Sequence, residues 1–562
     1  MLRFFATRMW PVCACLLALS FLQPRLSAQS SSTPAAKAAD PDPSAAILDE
    51  LEAMRKRIEQ LELELKKVRA QQHGAPAPAP VEATQAIEPV TLPAPAPPPE
   101  TAPTPAPPSV VASITPTQAA PPPAQAPTTP PQAAPAAPSQ QSEEPFAFAD
   151  FTWLTGNART TDSPIDTPYF TGEIRVDTDY VYDYNHPADH TISGSSEIFR
   201  AGEVQLTQMG VGGDFHWDNI RARIMTQFGM YAETTPRNDA SPALGGWDLD
   251  TAYRYISEAY GGYHFNVLDG INVDAGIFMS YVGLFSYYQF DNWAYQPSYV
   301  SSNTPWFFNG VRIQIFPSKK LKVEPWFVNG WQSYGKFDKA PGIGLQVLYR
   351  PNGWLSVLGN QYEGTDTLGI PGRHRVHTDD SVQIKYYDVP AYFFDKAAMT
   401  ITVDAGCEFG QNSGVSCHGG TPAKPSQYFL GFMVYQRFWF DRDKFGLTFG
   451  GGAINNPGRY LVLLPPINGA TAISGSPYFT ENPGNPFKAW DASATFDYMP
   501  KQFITWRFEY NHRASNVPYF TGPGGVTPPG GDNGSPGLIV PGWMPDLVKR
   551  ENRITIAILV KL

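Results

Sequence analysis

Beyond its first two dozen residues the chain never assembles the run of about 18 consecutive apolar residues that a membrane-spanning helix needs, so a helical anchor is excluded there. Basic residues are also in deficit. Lys and Arg number 41 against 52 Asp and Glu, a net charge of -11 that removes the broad basic field a nucleic-acid partner would require. The nine histidines are scattered, and no segment gathers Ser, His and an acid or spaces metal ligands, so no catalytic residue, cofactor or metal site is expected. Charged residues make up only 17% of the chain, below the roughly one quarter of soluble domains, whereas aromatics reach 13% and glycines 48. That bias suits strands that face lipid.

What is present divides the chain into four parts. Arg3 and Arg8 precede an apolar stretch from Trp10 to Leu22, and Leu26-Ser27-Ala28 ends in a small residue before Gln29, so residues 1–28 read as a secretory signal peptide. Between residues 45 and 72, Ile47, Leu51, Met54, Ile58, Leu61, Leu65 and Val68 alternate steps of four and three, a heptad seam with Glu, Lys and Arg outside it. This segment is expected to form a short coiled-coil helix and a homo-oligomer, with dimer and trimer both open. Residues 73–143 are nearly all Pro, Ala, Thr, Gln and Ser, a disordered linker that could reach on the order of 200 Å and bring the heptads to the cell wall.

Residues 150–562 carry the main domain, and its pattern is a strand pattern with two different solvents. Ile174, Val176, Tyr180, Tyr182 and Tyr184 alternate with Glu173, Arg175, Asp177 and Asp179, and Ile554, Ile556, Ile558 and Val560 alternate with Arg553, Thr555, Ala557 and Lys561. About sixteen such segments recur. Every second connection is tight, as at Trp217-Asp-Asn, Pro317-Ser-Lys-Lys, Pro351-Asn-Gly, Asp441-Arg-Asp-Lys and Met499-Pro-Lys. The others are long, near 232–252, 282–306, 411–425, 456–487 and 514–550. The expected fold class is all-β: a transmembrane antiparallel β-barrel of about 16 strands in outer-membrane lipid, with short periplasmic turns and long outer loops.

The stretch Gln289-Phe-Asp-Asn-Trp-Ala-Tyr-Gln-Pro-Ser-Tyr-Val-Ser-Ser-Asn-Thr-Pro-Trp-Phe-Phe-Asn-Gly310 resembles a segment of the OmpL-like family of outer-membrane porins, β-barrel porin 2. The resemblance covers most of residues 150–562. It implies a passive channel for ions and small hydrophilic solutes, with no catalytic residues.

With the apolar face in lipid, the opposite face predicts pore-lining candidates: Arg175, Asp177, Asp179, Arg221, Arg223, Arg254, Glu258, Asp274, Arg312, Glu324, Arg350, Lys385, Asp404, Glu408, Arg507 and Glu509. Their signs nearly balance, which argues against a single-sign selectivity ring. The loop joining the fifth and sixth strands, 282–306, is too aromatic for a free external loop and is expected to fold inward, with Asp291, Asn292, Trp293 and Tyr295 narrowing the pore. Cys407 and Cys417 flank an outer loop in an oxidising compartment and are expected to form a disulfide, metal binding with His418 being the alternative. Two other functions stay open: a tether between outer membrane and cell wall, and a barrel enzyme.

Overall fold

The computed structural model describes Lys56 and residues 144–562, apart from 196, 237–238, 240, 242–246, 337–339, 366–371, 411–412, 458–459, 461–484 and 529–542. The signal peptide and linker, and the heptad segment apart from the helical Lys56, lie outside the described residues. The chain divides into two units, Met1–Thr128 and Thr129–Leu562, and everything below belongs to the second.

Its strands are β1 (Phe170–Asp183), β2 (Val204–Trp217), β3 (Ile220–Thr226), β4 (Ile256–Phe265), β5 (Ile271–Met279), β6 (Phe307–Ser318), β7 (Leu321–Val328), β8 (Gly342–Asn352) and β9 (Leu355–Gly364). They continue as β10 (His374–Asp388), β11 (Phe394–Phe409), β12 (Tyr428–Phe440), β13 (Phe445–Asn455), β14 (Lys488–Lys501), β15 (Ile504–Ser515), β16 (Phe520–Thr521), β17 (Leu547–Val548) and β18 (Arg550–Lys561). Sixteen of them close into one antiparallel barrel, in which β18 seals the ring between β15 and β1 through pairs such as Trp506↔Ile558 and Tyr180↔Ile556. The two short strands β16 and β17 pair with each other inside the last long loop. Short helices interrupt two loops: α1 (Met230–Thr234) and α2 (Leu249–Tyr253) between β3 and β4, and α3 (Tyr299–Ser302) between β5 and β6.

The alternation in β1 becomes a wall with opposite solvents. Tyr180 and Tyr182 are exposed outside, whereas Asp177, Asp179 and Asp183 are buried inside. The same inversion holds around the ring: Ile224, Phe432, Trp490 and Ile556 are exposed, while Arg437, Asp497, Arg507 and Arg553 are fully buried. In water this arrangement would be backwards, since isolated buried charges are costly and exposed aromatics gain nothing. It is stable where the outside is hydrocarbon and the closed ring satisfies every ladder hydrogen bond.

One end of the barrel carries tight turns, at 218–219, 266–270, 319–320, 353–354, 389–393, 441–444 and 502–503. The other end carries the long loops. The turn at 389–393 was not among those marked by sequence, and the one placed at Met499-Pro-Lys falls three residues later. β14 continues through Pro500, where the register shifts between Tyr498 and Lys501 and a missing N–H breaks no ladder bond.

Candidate channel interior

The third long loop, residues 280–306, leaves β5 and enters the barrel, where wall charges facing inward bind its backbone. The Glu509 carboxylate accepts the N–H groups of Tyr295 (2.6 Å) and Gln296 (2.8 Å). Asp491 accepts the Tyr299 N–H at 2.9 Å and the Ser298 hydroxyl at 2.8 Å, seating α3. Arg507 donates to the carbonyls of Gln289 (3.0 Å) and Asn292 (2.6 Å), and Arg437 to that of Trp293 (3.2 Å). A loop inside a barrel would otherwise leave its peptide groups unpaired, and charge-assisted bonds are the strongest available substitutes. β13 leaves room for this approach: a Cβ at Gly452 would lie 2.5 Å from Ser298 Oγ.

Asp291 closes the arrangement, with Arg175 at 2.9 Å and Lys561 at 3.2 Å. Burial alone would raise its pKa, but these two cations outweigh it and hold the carboxyl below the usual aspartate range. The Tyr295 hydroxyl donates to Asp177 at 2.9 Å; burial, then the charges of Asp177 and Asp179, keep this phenol well above its ordinary pKa and neutral.

From the turn end a second segment enters, residues 144–161. The Phe146 N–H donates to Lys319 O (2.9 Å), the Trp153 indole to Gly353 O (3.0 Å), Asn157 to Lys501 O (3.2 Å) and Arg159 to Met499 O (2.6 Å). The segment is therefore strapped across the mouth from the β6–β7 turn to the β14–β15 turn. Gly156 touches the third loop back to back: its N–H donates to Asp291 O at 2.9 Å, its carbonyl accepts from Arg437 at 2.7 Å, and a Cβ there would collide with the carbonyls of Phe290 and Asn292.

Together the loop and the strap fill the sector bounded by β1, β12–β15 and β18. The sector of β3–β8 keeps two adjoining cavities that share Gln314 and Lys322. The larger, about 1060 Å³, lies at the turn end between Arg221, His264, Asn272, Asp269 and the strap residues Glu144 and Phe146. The smaller, about 250 Å³, lies among Glu258, Tyr260, Arg312, Glu324 and the loop residues Ser280 and Tyr281. Opposite charges alternate along this wall: Asp274 meets Arg221 (3.2 Å) and Arg312 (3.0 Å), Lys322 meets Glu324 (2.7 Å), and Arg223 meets Glu258, Asp214 (2.8 Å) and Glu173 (3.1 Å).

A family model for beta-barrel porin-2, OmpL-like, matches residues 170–533, from the start of β1 into the last long loop. The chain belongs to that family. It is accordingly a channel protein of the bacterial outer membrane, its turn end periplasmic and its loop end outside. No curated protein matches it. Among solved structures it is similar to DcaP, an outer membrane channel of Acinetobacter baumannii, at 12% identity over 72% of this chain and 99% of that one, with a TM-score of 0.39. The trimer form of OmpT from Vibrio cholerae gives 12% identity over 71% and 100% of the two chains (TM-score 0.38), and an anion-selective porin from Comamonas acidovorans 9% over 70% and 99% (0.39).

Within this porin the candidate residues separate by task. Arg221, Arg223, Glu258, Asp274, Arg312 and Glu324 belong to the ion-paired wall of the open sector. Arg175, Asp177, Arg507 and Glu509 point inward but clasp the third loop, and Asp179 accepts from Thr207 at 3.0 Å. Arg350 lies under the rings of Phe146 (5.2 Å) and Phe151 (4.8 Å) of the strap, and Lys385 pairs with Asp388 at 2.6 Å. Asp404 meets His377 at 2.7 Å, and Glu408 meets Arg373 (3.2 Å) and Arg375 (2.9 Å). Arg254 requires correction: it caps α2 in the second outer loop beside Glu233 (3.4 Å) and is not on the wall, because β4 begins only at Ile256. The expectation that these loop residues narrow the open pore is corrected: none of the four lines the two cavities of the open sector, and Asp291 pairs with Arg175 and Lys561 on the filled side. Asn292 bonds Ser286 and Gln289 within the loop, Trp293 packs on Trp439 at 5.6 Å, and Tyr295 reaches Asp177. Cys407 and Cys417 are joined by a disulfide at the mouth of the loop between β11 and β12.

Sequence reasoning missed the buried charges Arg437, Asp497, Arg513 and Glu551, and it set Arg553 on the polar face of its strand without naming it a candidate. Asp497 was within reach, being in phase with Asp491, Ser493 and Thr495 on β14. Arg437 was hidden because Met433, Tyr435 and Trp439 make the inner face of β12 as apolar as its outer face.

Proposed function

We propose that this porin is a passive diffusion channel for ions and small hydrophilic solutes, whose conduit follows the β3–β8 sector while the third loop and the strap fill the sector of β1, β12–β15 and β18. The observation that carries the reading is the pair of adjoining cavities sharing Gln314 and Lys322 beside a sector closed by loop and strap. The narrow part of the conduit lies where Ser280 and Tyr281 of the loop face Arg312 and Glu258 of the wall. Alternating charges on that wall support weak ionic selectivity. Liposome swelling with neutral sugars of increasing size tests this: rates should fall smoothly with solute size and show no saturation. Saturable uptake of one sugar would replace free diffusion by a binding channel, and absence of swelling would refute a conduit.

Residues 1–28 are read as the export signal. The heptad seam of 45–72 supports self-association, and a three-stranded coil would match a trimeric barrel. Cross-linking of the mature chain with and without 45–72 tests that reading, an unchanged oligomer arguing against it. The linker 73–143 gives the segment the reach of a cell-wall tether.

A further inference from the structure

We propose that residues 144–161 form a second constriction of the conduit, at its periplasmic mouth and in series with the third outer loop. The inference rests on the diffusion-channel reading above and adds a gate-keeping element that neither strand alternation nor the third loop supplies.

Three observations converge on it. The strap is built in: Trp153 and Asn157 are fully buried, and its anchors reach turns on opposite sides of the mouth. It borders the open sector: Glu144 and Phe146 line the larger cavity opposite Asn272 and Lys322. It also covers cationic groups of that mouth, with Phe148 over Lys320 at 5.1 Å and Phe146 over Arg350 at 5.2 Å. A solute leaving the smaller cavity through Gln314 and Lys322 must pass between this segment and β4–β7.

Charge gives the strap a second effect. Glu144 and Asp150 against Arg159 leave residues 144–161 with one net negative charge (two acids minus one base). The mouth beneath them presents Arg350 together with Arg221 and Lys322, the last two paired with Asp274 and Glu324, against Asp269. Releasing the strap therefore widens the exit and takes one net negative charge away from it.

The test uses the full mature chain in planar bilayers. Trp153→Ala, Asn157→Ala and Thr160→Ala together remove anchors to Gly353, Lys501 and Gln502 without changing the strap's charge or a barrel strand, and heat-dependent gel mobility checks that the barrel is folded. If two comparable constrictions lie in series, removing one should raise single-channel conductance roughly twofold, and the reversal potential in a salt gradient should move toward the anion. A complementary variant keeps the strap seated: Glu144→Cys, modified from the periplasmic side with a bulky sulfonate-bearing thiol reagent, should lower the current. Unchanged conductance in the triple variant, while a shortened third loop conducts more, would overturn the proposal, as would an unmodified current after labelling at 144. A wild-type chain without conductance steps would instead sink the channel reading itself, and this inference with it.

Discussion

Glu509→Gln isolates the clamp on the third loop from the barrel that carries it. The carboxylate accepts two loop N–H groups, at 2.6 and 2.8 Å, and the Thr495 hydroxyl at 2.8 Å. A glutamine keeps one acceptor oxygen and turns an NH₂ donor toward the other loop N–H, so one charge-assisted bond is lost and a buried donor faces a donor. Such bonds contribute about 1.5–3 kcal/mol and an orphaned buried N–H costs about 1–3 kcal/mol, so docking should weaken by about 3 kcal/mol. That is roughly a hundredfold larger undocked population. The wall pairing Thr495↔Glu509 and Glu509↔Thr555 is backbone and survives the change. Hydrogen exchange at the Tyr295 and Gln296 amides should accelerate by that factor, with greater open-channel noise and an unchanged barrel melting transition. Equal exchange in both proteins would refute the view that wall carboxylates hold the loop.

Asp497 sits between Arg437 (2.8 Å) and Arg507 (2.7 Å) with all three side chains fully buried. Asp497→Asn leaves two guanidinium groups without their counter-charge, and a loss of about 3–5 kcal/mol is expected for a broken buried pair, read as a lower temperature of heat-dependent gel mobility; an unchanged transition would refute that pairing energy. Asp291 gives the pH dependence. Its folded pKa is depressed by Arg175 and Lys561 against the opposing effect of burial, so its contribution to loop docking is fully present above the ordinary aspartate value of 3.8 and is lost as pH falls through the lower folded value. Open-channel noise should therefore rise only in acid below that range, and Asp291→Asn should show the acid behaviour at neutral pH.

Strand alternation made the wall readable from sequence because an outer-membrane barrel has lipid on one side and polar groups on the other, as Tyr180 and Tyr182 against Asp177 and Asp179 show in β1 and Ile554 and Ile556 against Arg553 and Thr555 in β18. The inward fold of the third loop was readable for a related reason: the density of rings between Phe285 and Trp306 has no place in water. Which wall charges meet the loop was not readable. Alternation gives the face of a residue but not its partner across the lumen, so Arg175 and Glu509 looked like pore-lining groups although they clasp backbone. Arg254 was misplaced because its alternation with Tyr253 and Tyr255 runs smoothly into β4 from a helix cap. The strap left a signal that alternation could not use: Phe146, Phe148, Phe151 and Trp153 crowd together directly after a stretch almost without rings.

The central claim, an open conduit through a barrel partly filled by its third loop, is tested most directly by single-channel recording of the refolded mature chain under a salt gradient. Stable conductance steps with a small reversal potential are predicted from the ion-paired wall of Asp274, Arg312, Lys322 and Glu324. A correctly folded barrel that passes no current, or one strongly selective for a single sign of ion, would contradict it.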